Sequence, residues 1–290
     1  MGNYQIVTDS TSDLTPEMIA GLQLTVIPMV FQIGDHTYLN YADGRELGFH
    51  EFYEQLRAGK EATTAQINMT TFFEYFEPIL QRGEDVLYLA FSSGLSGTCQ
   101  AAGLAADEMK AKYPDRRVVV VDSLAASMGE GLLAYYAATK RQAGESLDEV
   151  AAWLTEQRNH LCHWFTVDDL NHLKRGGRVS PTVAFVGTLL GIKPVLHVDD
   201  EGHLIPLSKV RGRKQVLDAL VERMAEVCTE PEGQTVFVSH GDAAEDAAYV
   251  AEKVKERFPV KDVYINFIGP VIGAHSGPGT VALFHLGEHK

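Results

Sequence analysis

Short apolar runs alternate along the chain with stretches whose apolar residues recur every three to four positions. That alternation predicts strands and helices in turn, an α/β architecture. Residues 4–8 read as a first strand ending in the polar segment Asp9-Ser10-Thr11-Ser12-Asp13. Thr15-Pro16 supplies a helix cap and first-turn proline for a helix to about residue 22. Residues 24–32 read as one strand, turned at Gly34-Asp35 into a partner over 36–39. Amphipathic helices are predicted over 49–56 and 71–80, with Phe72, Phe73, Tyr75 and Phe76 of the second expected mainly in the core. A strand over 85–91, the loop Ser92-Ser93-Gly94-Leu95-Ser96-Gly97-Thr98 and a helix over 99–112 form the next unit. A strand over 117–121 and helices over 128–142 and 147–159 complete a first region with a mainly parallel sheet.

A second region begins near residue 161. Its predicted strands cover 162–167, 193–198, 204–207, 235–239 and 263–267, with a hairpin turn at Asp199-Asp200-Glu201-Gly202. Helices are predicted over 213–227 and 243–257, and another beginning at Ser180-Pro181. Hairpin and crossover connections together predict a mixed sheet. The expected organisation is an α/β domain over 1–160 and a second over 161–290.

Charge narrows the partners. Lys+Arg 25 against Asp+Glu 39 gives a net charge of −14, which repels phosphate backbones and argues against nucleic acid. The three cysteines, Cys99, Cys162 and Cys228, are scattered and odd in number, which argues against a zinc site or disulfide framework and fits a reducing cytoplasm. No leader is expected, since the chain opens on a strand. The longest apolar stretch, 179–198, is broken by Pro181, Lys193 and Pro194, so no stable membrane insertion is expected.

Candidate chemistry concentrates in a few segments. The loop 92–98 follows a buried strand at the sheet edge where α/β proteins bind ligands. Its glycines allow close backbone approach, and the next helix presents free N–H groups to an anion. It lacks the lysine of a phosphate loop, and it is neither GxGxxG nor GxSxG. Anion binding and simple helix capping by Ser96 both remain open from the loop alone. Thr63-Thr64-Ala65-Gln66 reads as a cap region before the aromatic helix. Lys174-Arg175-Gly176-Gly177-Arg178 and the group Arg211, Arg213 and Lys214 are basic clusters, either solvated faces or contacts for planar anions. Residues 268–283 are glycine-rich around His275, which reads either as a satisfied core histidine or as a residue of a site where backbones pack closely. Ser239-His240-Gly241-Asp242 is not a catalytic unit, because neighbours at a strand end point apart.

These segments run in the order of the DegV family of bacterial fatty-acid-binding proteins, which the chain resembles over nearly its whole length. The matching residues are Thr8-Asp9-Ser10-Thr11-Ser12-Asp13-Leu14, Thr63 to Gln66, Ser92 to Thr98, Asp122-Ser123, Asp168-Asp169-Leu170 through Arg178-Val179, residues 189–196 and Gly269-Pro270 through Thr280. The resemblance implies a two-domain α/β protein with a long-chain fatty acid such as palmitate between the domains, and no cofactor. It implies a carboxylate held by Thr63, Thr64, Ser93 and Ser96, with His275 nearby. It further implies a non-catalytic carrier that presents the acyl chain to an ATP-dependent fatty acid kinase, with Arg178 and Arg211 facing that kinase or the phosphate. Family members often carry Thr-Ser-Gln-Pro where this chain has Thr64-Ala65-Gln66-Ile67, so one hydroxyl is missing. Two other functions compete: a serine-dependent hydrolase or phosphatase using Ser93 with His275, and a lipid-sensing regulatory protein.

Overall fold

The computed structural model describes residues 3–179 and 191–290. The first half is ordered as β1 (Tyr4–Asp9), a single 3₁₀ turn (Ser10–Ser12), α1 (Pro16–Gly21), β2 (Thr25–Ile27), β3 (Met29–Ile33), β4 (His36–Asn40), α2 (Phe49–Arg57), β5 (Ala62–Thr64), α3 (Met69–Gln81), β6 (Asp85–Ala90), α4 (Thr98–Lys112), β7 (Val118–Asp122), α5 (Met128–Gln142) and α6 (Leu147–Gln157). The second half adds β8 (Leu161–Thr166), α7 (Asn171–Arg175), β9 (Ile192–Val198), β10 (Leu204–Arg211), α8 (Arg213–Val227), β11 (Thr235–His240), α9 (Ala244–Arg257), β12 (Asp262–Phe267), α10 (Pro270–Ser276) and β13 (Val281–Leu286). The expected helix beginning at Ser180-Pro181 lies outside the described residues.

The strands form three sheets. A parallel sheet of order β2-β1-β6-β7 and an antiparallel sheet of order β4-β3-β5 come from residues before 160. A mixed sheet of order β10-β9-β8-β13-β11-β12 comes from residues after it. The parallel sheet is apolar on both faces, so Val86 to Ala90 of β6 form an unbroken buried run. In β3 burial alternates along Met29–Ile33, because one face packs inward and the other is wet.

Helix α5 joins the two halves. It packs on β1 and β6 on one side and on β8, β11 and β13 on the other. Such a helix needs small residues where backbones approach. A side chain at Gly129 would collide with His163, and one at Gly131 with the carbonyl of Ser12. Leu132, Leu133, Ala134 and Ala138 fill the rest of the interface.

The structure departs from the predicted elements at several places. The predicted strand over 24–32 is two strands. Pro28 has no N–H to donate, and the chain changes sheets there, β2 joining β1 and β3 joining β4 and β5. Residues 63–64 are not a helix cap but part of β5, and the cap of α3 is Asn68, whose side chain accepts the Thr71 N–H. The glycine-rich segment 268–283 contains α10 and the start of β13, neither of which was expected. Phe73 and Tyr75 lie partly exposed at the edge of a core that holds Phe72 and Phe76.

Candidate functional site

Between the halves lies a cavity of about 290 Å³. Since liquid water takes roughly 30 Å³ per molecule, this is room for a ligand rather than for one or two structural waters. Its wall is mostly apolar: Met29, Phe91, Leu95, Phe165, Leu173, Val198, Leu204, Ile268, Val271, Ile272, Ala282 and Phe284. Strand alternation explains part of this list. Phe165 with His163 on β8, and Ala282 with Phe284 on β13, face one side of the mixed sheet, and Ala282 sits opposite Phe165 in register. A second, more polar cavity of about 250 Å³ adjoins it, lined among others by Lys60, Thr63, His172 and Arg175. Thr64, Arg178 and His275 line both cavities and so stand at their boundary.

That boundary is where the polar chemistry gathers. Thr64 reaches it because β5 pairs with β3, with Thr64 opposite Phe31. His275 reaches it from α10. Thr64 Oγ1 and His275 Nε2 lie 2.8 Å apart. Burial, followed by the nearby Arg178 charge, pushes the His275 imidazole down to about 4, so the ring is neutral at pH 7. Its Nδ1 is buried without a partner, and Gly176 packs so tightly against it that a side chain there would collide. Arg178 donates from Nε to the Leu95 carbonyl at 3.2 Å and also to the carbonyl of Gly176. Burial lowers its pKa. The arginine thereby ties the 92–98 loop to the turn after α7.

Ser96 lines the apolar cavity. Its Oγ accepts the Thr98 N–H at the start of α4, 3.3 Å away, and lies 3.0 Å from Thr98 Oγ1. From the position before the Gly97 cap it satisfies the first N–H of α4 and faces the cavity at once. Gln66 and Gly97 line the same stretch of wall, close enough that a side chain at Gly97 would strike the Gln66 amide.

Other expected residues lie elsewhere. Ser93 is exposed and outside the lining; its backbone N–H donates to Asp122 Oδ1 at 3.2 Å. Consecutive loop residues point apart, and Ser92 turns inward to donate to the Gly202 carbonyl at 2.8 Å. The structure thus leaves the Ser93 side chain off the cavity wall. His275 Nε2 bonds Thr64, its Nδ1 has no partner, and neither nitrogen bonds Ser93. Thr63 is exposed on β5, pairs across to Gln32 and lines only the polar cavity. Arg211 is exposed at the end of β10, away from both cavities' lining. Its neighbour Arg213 is not a free cation: it is bonded to Asp168, Asp246 and the Gly279 carbonyl. Ala65 is exposed and touches neither cavity, so the hydroxyl missing there costs the wall nothing.

Several lining residues were not anticipated. Thr11, Ser127, His163, Ser276 and Thr280 add polar atoms to the wall. Behind Thr11 and Ser127 sits a buried carboxyl group of three. Thr11 Oγ1 touches Asp9 and lies 2.8 Å from Glu130 Oε2. Thr8 Oγ1 lies 2.6 Å from Glu130 Oε1, and Tyr88 donates to Asp9 at 2.7 Å. One threonine proton cannot serve two carboxylates, so at least one of Asp9 and Glu130 carries a proton. Burial raises both pKa values in agreement with that count. The repeated Thr/Ser/Asp pattern of residues 8–13 was the available signal for this cluster.

Comparison with known proteins places this architecture. The model of DegV, by its description an uncharacterised protein family, matches residues 3–288. The chain belongs to the DegV family. A DegV domain-containing protein of Clostridium perfringens is 44% identical over 290 residues, covering 100% of this chain and 99% of the relative. Among solved structures, a DegV family protein from Thermus thermophilus, described for its fatty acid binding, has 31% identity and a TM-score of 0.89, covering 98% of this chain and 99% of that one. DegV of Bacillus subtilis, described as a fatty acid binding protein, has 30% identity and a TM-score of 0.86, covering 99% and 100%. The DegV fold is thus shared over the full length. No helix among the described residues is long and apolar enough to cross a membrane.

Proposed function

We propose that this DegV-family chain binds one long-chain fatty acid in the cavity between its halves, with the carboxylate at the Thr64–His275 end. The observation that carries the reading is a mostly apolar cavity closed at one boundary by a neutral histidine–threonine pair and Arg178, with the Ser96 hydroxyl on its wall. The solved relatives described as fatty acid binders support it. Each buried methylene contributes about 0.8 kcal/mol, so the tail sets affinity and the head sets orientation. A carboxylate accepting the Thr64 hydroxyl proton leaves Thr64 Oγ1 to accept from His275 Nε2–H, a chain that holds an anion on neutral donors. Ser96 supplies a second hydroxyl.

The finer reading is a carrier that offers the carboxylate to an ATP-dependent fatty acid kinase. The polar cavity supports it: the residues at the head also face a chamber where Lys60 and Arg175 offer a phosphorylated head two cations, beside Glu61 and a His172 whose pKa burial lowers. Arg178 stands at the boundary of both, and exposed Arg211 is left for a partner surface. Residues 1–160 and 161–290 then act as the two domains that enclose the chain. Native mass spectrometry of protein purified from bacteria tests the first reading: about one long-chain fatty acid per chain is expected, and lipid-free protein that also refuses added palmitate overturns it. For the second, kinase and ATP are expected to convert bound palmitate to acyl-phosphate, and Arg178→Ala is expected to slow that step.

A further inference from the structure

Asp13 occupies a junction that the ligand contacts do not explain. It is 6% exposed, and its backbone is left-handed at φ 50°, a conformation aspartate and asparagine tolerate and most residues resist. Its Oδ1 accepts the Gly269 N–H at 2.9 Å, immediately before α10. Its Oδ2 accepts from Ser127 Oγ at 2.6 Å, at the start of α5, and that hydroxyl lies 2.9 Å from Ser239 Oγ on β11. Its carbonyl accepts from Asn266 Nδ2 at 2.8 Å, on β12. Gly269 must be glycine for this grip: a Cβ there would stand 2.8 Å from Asp13 Oδ1. This one residue thus bonds three elements from both halves, α10 and α5 through its side chain and β12 through its carbonyl, and reaches β11 through Ser127. Two of those attachments reach the cavity. Ser127 is a lining residue, and α10 carries Val271, Ile272, His275 and Ser276 into the wall.

We propose that Asp13 is a positioning residue for the ligand, fixing α10 and hence His275 against Thr64, and that filling the cavity is coupled to its protonation. The proposal rests on the fatty-acid reading above. Hydrocarbon in place of water behind Ser127 lowers the local dielectric, and the incoming carboxylate adds negative charge. Both changes favour the neutral form of Asp13, so ligand and proton bind together. By reciprocity, affinity falls as pH rises through the range where Asp13 ionises. Burial already pushes this carboxyl up to about 7. The titratable groups facing it are Asp9 from its own turn, Glu130 from α5 and Tyr53 from α2. Burial raises all three, Glu130 and Tyr53 far above their ordinary values, and His275 is neutral throughout pH 6–8.

The test is palmitate affinity of delipidated protein at pH 6 and pH 8, with thermal melts alongside. Wild type is expected to weaken severalfold from pH 6 to pH 8. Asp13→Asn keeps an acceptor for Gly269 and suits the left-handed backbone, so it is expected to bind with a flattened pH profile. Asp13→Ala is expected to lose affinity at both pH values. An Asn variant with the wild-type slope, or an Ala variant that binds like wild type, overturns the proposal and leaves the fatty-acid reading standing. No palmitate binding by any form overturns that reading and the proposal with it. Calorimetry of wild type at pH 7 in buffers of different ionisation enthalpy needs no variant: fractional proton uptake on binding is expected, and zero uptake refutes the coupling.

Discussion

Two glycine-rich segments line the cavity, and they contribute unequally. The loop Ser92 to Thr98 gave the stronger chemical signal in the sequence, with three serines and a threonine beside a helix start. In the structure only Leu95, Ser96 and Gly97 of it line the cavity. Residues 268–280, marked in the sequence mainly by His275, supply Ile268, Val271, Ile272, His275, Ser276 and Thr280. The reason is geometric. A loop that reverses direction sends successive hydroxyls apart, so Ser92 bonds Gly202, Ser93 meets water and Ser96 meets the cavity. A short helix seated lengthwise on a cavity presents residues one turn apart on the same side, here Val271 with His275 and Ile272 with Ser276. Hydroxyl density in a sequence counts possible donors, and backbone path decides which of them converge.

The largest effect that would sharpen this contrast is expected on the helical side. His275→Ala removes the partner of Thr64 and leaves a half-buried hydroxyl under-bonded, a loss of about 1–3 kcal/mol. Palmitate affinity is then expected to fall roughly 5- to 150-fold by titration calorimetry. A wild-type affinity in this variant would remove the head from the Thr64–His275 end.

Next comes stability against pH, which probes the grip of Asp13 on the same segment. The ordinary value of 3.8 holds for the unfolded chain and about 7 for the folded one, so the native state binds this proton more tightly. The contribution is fully present below about 4 and is lost as pH rises towards 7, at no more than about 1.4 kcal/mol per unit. Chemical denaturation of wild type at pH 5 and pH 7, compared with Asp13→Asn, is expected to show a smaller slope in the variant. Equal slopes would mean that Asp13 is ionised in the fold at both values.

The smallest effects are expected on the loop side, where they separate its serines. Ser96→Ala loses one hydroxyl donor to the ligand carboxylate, which water from the adjoining polar cavity partly replaces, a net of about 0.5–1.5 kcal/mol, or roughly two- to tenfold in affinity. It also loses the bond to the Thr98 N–H, so its melting temperature is expected to drop. Ser93→Ala is expected to stay within about 0.5 kcal/mol of wild type in both respects, as an exposed substitution. Reversal of that order would restore the loop as the main head contact.

Most of the fold was legible because period and burial agree. The run 85–91, the helix 128–142 and the hairpin at Asp199 to Gly202 all follow from apolar spacing and turn residues. What escaped was set by partners distant in sequence. Thr63 and Thr64 become a strand only because β3 offers an edge, and a three-residue strand has no period to detect. Helix α10 hides because two of its seven residues are glycine or proline, both poor helix formers. Gly273 is there for Tyr53, whose Oη would stand 2.6 Å from a Cβ. At the site, Thr64, Ser96, His275 and Arg178 come together at the cavity, while Ser93, Thr63 and Arg211 stand apart from the apolar chamber. Thr11 and Ser127 were unreadable as wall residues, since a buried polar side chain looks like a loop residue until its neighbours are placed.

The most direct test of the central claim is a crystal structure with palmitate bound. The account predicts the acyl chain among Phe165, Ile268 and Phe284, with its carboxylate within hydrogen-bond reach of Thr64 Oγ1 and Ser96 Oγ. A carboxylate seated at Ser93, or a chain lying outside this cavity, would contradict it.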